Sequence, residues 1–175
     1  MNMIESKRTL LRPIAASDKK AVFSYRSDAE TNKYQGFVPK NIDEVADFIA
    51  RNPTDFNQAD TWFQLVIIDR ESDCLIGDIG IHFIDEYQVE IGCTLAKQFH
   101  GKGYATETLH AVIDHLFMQQ NKHRVIGSID PLNTSSIGLL ERLGFRKEAH
   151  FKQSLLIDGE WVDDIVYAIL KSEWK

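Results

Sequence analysis

At residues 97–107 the chain reads Lys97-Gln98-Phe99-His100-Gly101-Lys102-Gly103-Tyr104-Ala105-Thr106-Glu107, and the fold can be predicted outward from this stretch. It follows an apolar, strand-like run at residues 88–95 and precedes a helical pattern. Because glycine has no Cβ, Gly101 and Gly103 permit a tight turn whose main-chain N–H groups point at one ligand. The helix start adds unpaired N–H groups and the positive end of its dipole. The stretch therefore predicts an anion site of the kind that binds phosphate.

The helix after this loop is predicted from the spacing of its apolar side chains. They recur at i, i+3, i+4, i+7 and i+8 and would face a core: Leu109, Val112, Ile113, Leu116 and Phe117. Two familiar phosphate loops do not fit the sequence before it. A P-loop requires Gly-Lys-Ser/Thr, where this chain has Gly101-Lys102-Gly103, and a dinucleotide fingerprint requires a third glycine at Thr106.

The loop resembles the coenzyme A pyrophosphate loop of the GNAT (Gcn5-related) N-acetyltransferases, Gln/Arg-x-x-Gly-x-Gly/Ala before a helix. One register starts at Gln98 and a second at His100; the second aligns residues 103–107 with the ribosomal-protein N-terminal acetyltransferase branch. Residues 133–145 resemble that branch's second motif, Asn-x-x-Ser-x-x-Leu-Leu-Glu-Lys-Leu-Gly-Phe. Further resemblances at residues 8–13 and 158–163 extend the likeness over nearly the whole chain.

We expect an α+β (mixed α/β) fold in one domain, residues 1–175. The pattern predicts a mostly antiparallel sheet of about seven strands with helices on both faces. The predicted strands are 9–13, 62–69, 75–84, 88–95, 124–129, 145–157 and 161–170. A crossover helix would make the strands at 88–95 and 124–129 parallel. The resemblance implies the GNAT fold, in which these two central strands splay apart and admit the cofactor. Ser17 is predicted to cap the first helix.

Composition and net charge argue against several classes of protein function. With 43% hydrophobic and 26% charged residues the chain is typical of a soluble globular protein, and no apolar run is long enough to span a membrane. The first residues lack a signal-peptide pattern, which favours a cytoplasmic location. A net charge of −6 argues against direct nucleic-acid binding and suits a cationic partner. Cys74 and Cys93 are isolated, so we expect two buried, reduced thiols and no metal site.

The resemblance implies transfer of acetyl from acetyl-CoA to a primary amine. Glu90 is the candidate base, because a carboxylate in a buried strand needs a partner or a task; the alternative is a solvated or ion-paired glutamate. Leu140 occupies the position where many family members have a tyrosine. Ser136 is therefore the candidate for proton donation to the thiolate, and Asn133 for orienting the pantetheine arm or a water. Helix capping is the alternative for both.

The resemblance also implies a set of cofactor-binding residues, acting mainly through main-chain amides. They are Leu95, His100, Gly101, Lys102, Gly103, Tyr104, Ala105, Thr106 and Asn133. Tyr34 and Phe37 are candidate contacts for the acceptor, with ordinary packing as the alternative. His82, Glu107 and residues 122–124 are left out of the catalytic set.

The acceptor is predicted to be a protein N-terminus. An α-amine with a pKa near 8 is neutral in about one molecule in ten at pH 7, whereas a lysine amine near 10.4 is neutral in roughly one in a few thousand. A small-molecule amine and a non-catalytic acyl-CoA-binding module are the alternatives. The protein is expected to be a monomer or a homodimer.

Overall fold

An eight-stranded sheet carries four α-helices in the computed structural model, which describes residues 3–175. The strands are β1 (Ile4–Glu5), β2 (Thr9–Pro13), β3 (Thr61–Asp69), β4 (Cys74–Phe83), β5 (Gln88–Leu95), β6 (Arg124–Ile129), β7 (Arg146–Ile157) and β8 (Glu160–Leu170). The helices are α1 (Lys19–Arg26), α2 (Ile42–Ala50), α3 (Tyr104–Met118) and α4 (Thr134–Arg142). Within residues 3–175 no helix is both long and apolar enough to cross a membrane.

The strand order is β1-β2-β3-β4-β5-β6-β8-β7, and the β5–β6 pair is parallel while the others are antiparallel. The mixed, mostly antiparallel sheet is therefore confirmed, with eight strands instead of about seven. The additional strand, β1, is two residues long and pairs Ile4 with Leu11, which is too short to give a periodic pattern.

The start of the first helix differs from the prediction. Ala16–Asp18 form a 3-10 turn and α1 begins at Lys19, so Ser17 is not its cap. The buried carboxylate of Asp18 accepts a hydrogen bond from the N–H of Ala15 at 2.8 Å and pairs with Arg12 at 2.8 Å. Asp18 thus anchors this turn in place of the predicted serine.

The splay between β5 and β6 is confirmed by their register. The two strands pair only from Gln88–Arg124 to Glu90–Ile126, although both continue beyond that point. On the other side of β5, the Ala96 N–H donates to the carbonyl of Ile76. Because main-chain groups alternate in direction along a strand, those of Leu95 point away from β4, into the gap. The gap is therefore edged by main-chain donors and acceptors without a strand partner.

The two faces of the sheet are covered differently. α3 packs against one face, and the exposed fraction of each of its five predicted core residues is 2% or less, which confirms that prediction. Each such side chain contributes about 1.5–3 kcal/mol on burial. On the opposite face, α1 and α2 pack their Val22 and Val45 against Val66 of β3 and cover only part of the surface. The uncovered part is a cleft.

The two cysteines are free, but they are not both buried as expected. Cys74 is exposed because it begins β4 directly after a turn. Cys93 is half-buried on the face of β5 that α3 covers, and this burial raises the pKa of its thiol to about 12. Cys93 therefore stays protonated near neutral pH and is unsuited to act as a nucleophile.

Candidate active site

The anion loop, predicted at residues 97–107, forms the turn that leads into α3. Gly101 and Gly103 have φ values of +71° and +80°, a region that favours glycine. Gly103 is the N-cap of α3, and no side chain among the described residues caps that helix. A Cβ on Gly101 would find open space. The loop thus presents uncapped N–H groups to solvent beside an open surface, which suits an anionic group such as a diphosphate.

A network of side chains fixes the loop from outside. The Tyr104 hydroxyl donates to Asp69 at 3.0 Å, and the guanidinium of Arg8 lies 4.2 Å from the centre of the Tyr104 ring. Arg8 also donates to the carbonyl of Lys102 at 3.1 Å and to Glu107 at 2.6 Å. The Tyr104 side chain and the Lys102 carbonyl are therefore already engaged in contacts with other residues of the protein.

Glu107 ties the start of α3 to the N-terminal segment. Its carboxylate accepts hydrogen bonds from the Ser6 hydroxyl at 2.7 Å and from the Arg8 N–H at 2.6 Å. Burial alone raises the pKa of Glu107, but the hydrogen bonds from Ser6 and Arg8 outweigh it and lower the pKa below its ordinary value. Thr106, the neighbouring cofactor candidate, lines a shallow groove with Glu5 and His110 on the flank of α3.

His100 connects the loop to the end of β5. Its Nε2 lies 2.8 Å from the carbonyl oxygen of Leu95, so the ring must be protonated at Nε2 to donate this hydrogen bond. The carbonyl keeps a second lone pair, and the Leu95 N–H faces the gap. His100, predicted as a cofactor contact, thus positions the main-chain group that we expect to meet the pantetheine arm.

The second predicted motif forms the start of α4. Asn133 is the N-cap, and its Oδ1 accepts from the Ser136 N–H at 3.2 Å, so the capping interpretation applies to Asn133. Ser136 is half-buried. Leu140 is 5% exposed and packs so closely on β6 that a Cβ on Gly127 would lie 2.6 Å from it.

The two helix starts flank the same opening. α3 follows β5 and α4 follows β6, and the carboxyl ends of parallel strands lie at the same edge of a sheet. The anion loop, Asn133 and Ser136 therefore surround the wide end of the gap, as ligand sites in open α/β sheets commonly do.

The uncovered sheet face forms a cleft of about 1,200 Å³ next to the gap. Its floor includes Glu90, Gly92 and Thr94 of β5, and one wall is the β7–β8 hairpin. The predicted acceptor contacts also line it. Tyr34 is 37% exposed and free to meet a ligand, whereas Phe37 is stacked on Phe48 with ring centroids 4.5 Å apart.

Glu90 lies in this cleft with its side chain 25% exposed. Its Oε2 lies 3.7 Å from Nδ1 of His82, which is opposite it on β4 and stacks on Trp62 at 4.8 Å. Burial raises the pKa of Glu90, the charge of nearby Asp164 raises it further, and His82 partly offsets both. The raised pKa gives Glu90 a higher proton affinity than an ordinary carboxylate, which favours a role as a general base.

Several cleft residues were not predicted from the sequence. The Ser128 hydroxyl of β6 donates to Asp164 of β8 at 2.7 Å, which places a second carboxylate across the gap from Glu90. Trp62 and Gln64 line the cleft, and His82 lies beside Glu90 through cross-strand pairing. A lone histidine or glutamine in a strand carries no sequence signal for this, because its neighbours depend on strand register.

A buried ion pair lies under the helices at the end of the cleft. The Asp78 carboxylate, 0% exposed, accepts from Arg26 at 2.6 Å and from the Tyr25 hydroxyl at 2.5 Å. Arg26 also donates to the Phe37 carbonyl at 3.0 Å. Burial, followed by the Asp78 charge, raises the pKa of Tyr25 well above its ordinary value, so its proton stays in place.

Known proteins resemble this chain in sequence. A family model described as an acetyltransferase (GNAT) domain matches residues 8–146. The uncharacterized N-acetyltransferase YnaD of Bacillus subtilis (strain 168) is 34% identical over 172 residues, 98% of each chain. The ribosomal protein uS5-alanine N-acetyltransferase of Escherichia coli (strain K12) is 38% identical over 84 residues, 48% of this chain and 43% of that protein.

Solved structures resemble it in fold. The acetyltransferase (GNAT family) from Bacillus anthracis has a TM-score of 0.88 at 30% identity, covering 98% of this chain and 100% of that one. The spermidine N-acetyltransferase from Vibrio cholerae, solved with CoA and spermine, has a TM-score of 0.81 at 21% identity, with 95% and 97% covered. The fold predicted from residues 97–107 and 133–145 is thereby confirmed.

Proposed function

Because the chain belongs to the GNAT family of acetyl-CoA-dependent N-acetyltransferases, we propose that its acceptor is the α-amino group of a protein or peptide N-terminus. One observation carries this proposal: Glu90 lies at the gap in an open cleft of about 1,200 Å³. This volume exceeds the roughly 300–1,000 Å³ typical of small-molecule pockets and leaves room for several residues of an extended peptide.

The anion loop and the gap fit acetyl-CoA. The uncapped amides from Gly101 to Ala105 would hold the diphosphate, each charge-assisted hydrogen bond contributing about 1.5–3 kcal/mol. The main-chain groups of Cys93 and Leu95 that face the gap would pair with the amides of the pantetheine arm, as an added strand would. Bound there, acetyl-CoA supplies an activated thioester carbonyl.

We assign Glu90 the role of general base. The acceptor amine must lose a proton as its nitrogen attacks the carbonyl carbon, and Glu90 would receive it directly or through a water. An α-amine is already neutral in about one molecule in ten at pH 7, so a single half-buried carboxylate suffices. Ser136 would donate a hydrogen bond to the departing thiolate, and Asn133 would hold the start of α4 beside it.

A polyamine is the second candidate acceptor, and the charge of the cleft favours it. Seven carboxylates and three cationic side chains line the cleft, and Arg26 among the cations is already paired with Asp78. The carboxylates are Asp60, Glu90, Asp130, Asp158, Glu160, Asp163 and Asp164. A surplus of negative charge attracts any cationic acceptor, whether a basic peptide or a polyamine.

A turnover screen separates the two candidates. Thiol release from acetyl-CoA is measured with unblocked peptides, the same peptides N-acetylated in advance, and spermidine. We expect turnover of the unblocked peptides alone, with mass spectrometry locating the acetyl group on the α-nitrogen. Turnover of spermidine alone would overturn the proposal in favour of the polyamine.

Three further sequence-based expectations stand as proposals beside this one. Residues 1–175 would act as one acetyltransferase domain, since its single described sheet takes strands from Ile4 to Leu170. A cytoplasmic location is tested by cell fractionation, and the choice between monomer and homodimer by light scattering on the purified protein.

A further inference from the structure

A shallow trough crosses the open face of the sheet toward the gap. Gln64 of β3 pairs with Gly80 of β4, and Gly80 pairs with Gly92 of β5, so these three residues form one row across the strands. We call this row the glycine trough. Two of its three members have no side chain, and a Cβ on Gly92 would have no heavy atom within 4 Å.

The neighbouring cross-strand rows form the walls of the trough. On one side stand Trp62, His82 and Glu90, which are paired in register. On the other side, Asp78 pairs with Thr94, and the Thr94 hydroxyl donates to Gln35 at 3.1 Å. The trough therefore runs from Gln64 past the candidate base and opens at the splay between β5 and β6.

Gln64 closes the far end of the trough and is held firmly. Its N–H donates to Asn52 at 2.6 Å and its carbonyl accepts from the N–H of Ile14 at 3.1 Å. Its amide lies over Gly80, where a Cβ would be 3.1 Å from both amide atoms. A side chain at position 80 would displace the Gln64 amide, so this arrangement requires a glycine at position 80.

The amide of Gln64 has an unused acceptor. The residue is 8% exposed, and its Oε1 has no hydrogen-bond partner anywhere in residues 3–175. A buried amide oxygen without a partner costs free energy, so such groups in native proteins call for a partner. Gln64 lines the cleft, and a turn of its terminal amide would bring the oxygen to the cleft surface, where a bound acceptor can supply the missing donor.

From this geometry we infer that Gln64 selects the acceptor by accepting a hydrogen bond from one of its backbone N–H groups. The inference rests on the proposed function, in which the acceptor is a peptide. A neutral carbonyl oxygen suits a neutral peptide N–H, whereas an ammonium group is better matched by a carboxylate. The carboxylate nearest in register, Asp78, is already paired with Arg26.

The position of the N–H along the peptide follows from strand spacing. The Gln64 amide lies over β4, and the gap begins on the far side of β5. The distance from the amide to the gap is therefore one to two strand spacings, about 5–10 Å. An extended chain advances about 3.3–3.6 Å per residue. The N–H in question therefore belongs to the third or fourth residue of the acceptor, at its second or third peptide linkage.

The test compares Gln64→Met with the unmodified protein on peptides in which one linkage at a time is an ester. An ester lacks the N–H and otherwise keeps the shape. We expect kcat/KM of the unmodified protein to fall about tenfold for an ester at the second or third linkage. Gln64→Met should show no such penalty there, while esters at other linkages should affect both proteins equally.

Two measurements keep the outcome interpretable. Calorimetry with coenzyme A and thermal unfolding establish that Gln64→Met is folded and binds its donor, and Gln119→Met at the exposed end of α3 is the matched control. An ester penalty that is equal in the two proteins overturns the role of Gln64 and leaves the proposed function intact. If the unmodified protein acetylates polyamines and no peptide, both proposals fail together.

Discussion

Asp78 and Glu90 are two carboxylates on the same face of the same sheet, on adjacent strands, yet their surroundings differ completely. Asp78 is fully buried and accepts hydrogen bonds from both Arg26 and Tyr25. Glu90 is partly exposed, lies 3.7 Å from His82, and faces an open cleft. Asp78 already accepts hydrogen bonds from the protein, whereas Glu90 can accept hydrogen bonds from a ligand.

The contrast shows how one sheet face separates stability from catalysis. Where α1 and α2 cover it, a charge must be paired, because an unpaired buried charge is costly. Where the two helices do not cover the face, Glu90 is only partly buried. Burial raises the pKa of its carboxyl group, but the group can still ionise. The following predictions test this division, in order of decreasing effect.

Replacing Glu90 with Gln should remove most of the activity. If Glu90 takes the proton from the amine, kcat should fall by about 10²–10⁴-fold while the affinity for coenzyme A stays unchanged. Steady-state kinetics and calorimetry measure the two quantities. Glu160→Gln, an exposed carboxylate that lines the same cleft, is the control and should retain turnover within about twofold. Equal turnover by Glu90→Gln and the unmodified protein would exclude Glu90 as the base.

Replacing Asp78 with Asn should reduce stability instead. Arg26 would keep its buried charge without a counter-ion, and the free energy of unfolding should fall by about 3–5 kcal/mol. Urea denaturation measures this loss. Glu30→Gln breaks the exposed pair with Lys33 and should cost less than about 1 kcal/mol. A cost for Asp78→Asn as small as that of Glu30→Gln would mean that the buried pair contributes nothing special.

Gly92→Ala should separate stability from catalysis in a single variant. The added methyl meets no protein atom, so the protein should gain about 0.4–1 kcal/mol from the stiffer unfolded chain. The same methyl enters the glycine trough, so kcat/KM for the acceptor should fall roughly tenfold. Thermal unfolding and initial rates at saturating acetyl-CoA give both numbers. Unchanged acceptor kinetics would place the acceptor elsewhere.

The smallest expected effect is on the pH dependence of stability. The folded-state pKa of Glu90 is raised above 4.5, chiefly by burial and then by Asp164 against the opposing effect of His82. Its contribution to stability is therefore fully present below about pH 4.5 and is lost as the pH rises through the folded-state pKa. Glu90→Gln escapes this loss, so its stability relative to the unmodified protein should increase with pH. Urea midpoints between pH 4 and 8 measure the trend, and a difference independent of pH would contradict it.

Local signals in the sequence were sufficient for most of the fold. The apolar spacing from Leu109 to Phe117 predicted a core-facing helix, and the short break between the predicted strands 145–157 and 161–170 is a hairpin turn in which Asp158 and Gly159 have positive φ values. Each of these signals lies within a few adjacent positions. The prediction that Ser17 caps α1 was wrong because capping depends on where the chain enters a helix, and here a 3-10 turn precedes α1.

The acceptor side of the site could not be predicted in the same way. The environment of Glu90 depends on His82, and the unpaired amide of Gln64 depends on Gly80, through the registers of β3, β4 and β5. The hydrogen bond between Ser128 and Asp164 joins residues 36 positions apart. Such neighbours follow from how strands align in space, which one sequence does not encode locally.

The attachment of Ser6 and Arg8 to Glu107 has a consequence for assembly. These hydrogen bonds span 101 and 99 positions, so the clamp on the anion loop can close only after more than half of the chain is available. Contacts between such distant positions form late because a long loop must first be closed. Fragments that lack either the first eight residues or α3 would therefore lose the support of the coenzyme A loop, and during synthesis this loop could become rigid only after the start of α3 is available.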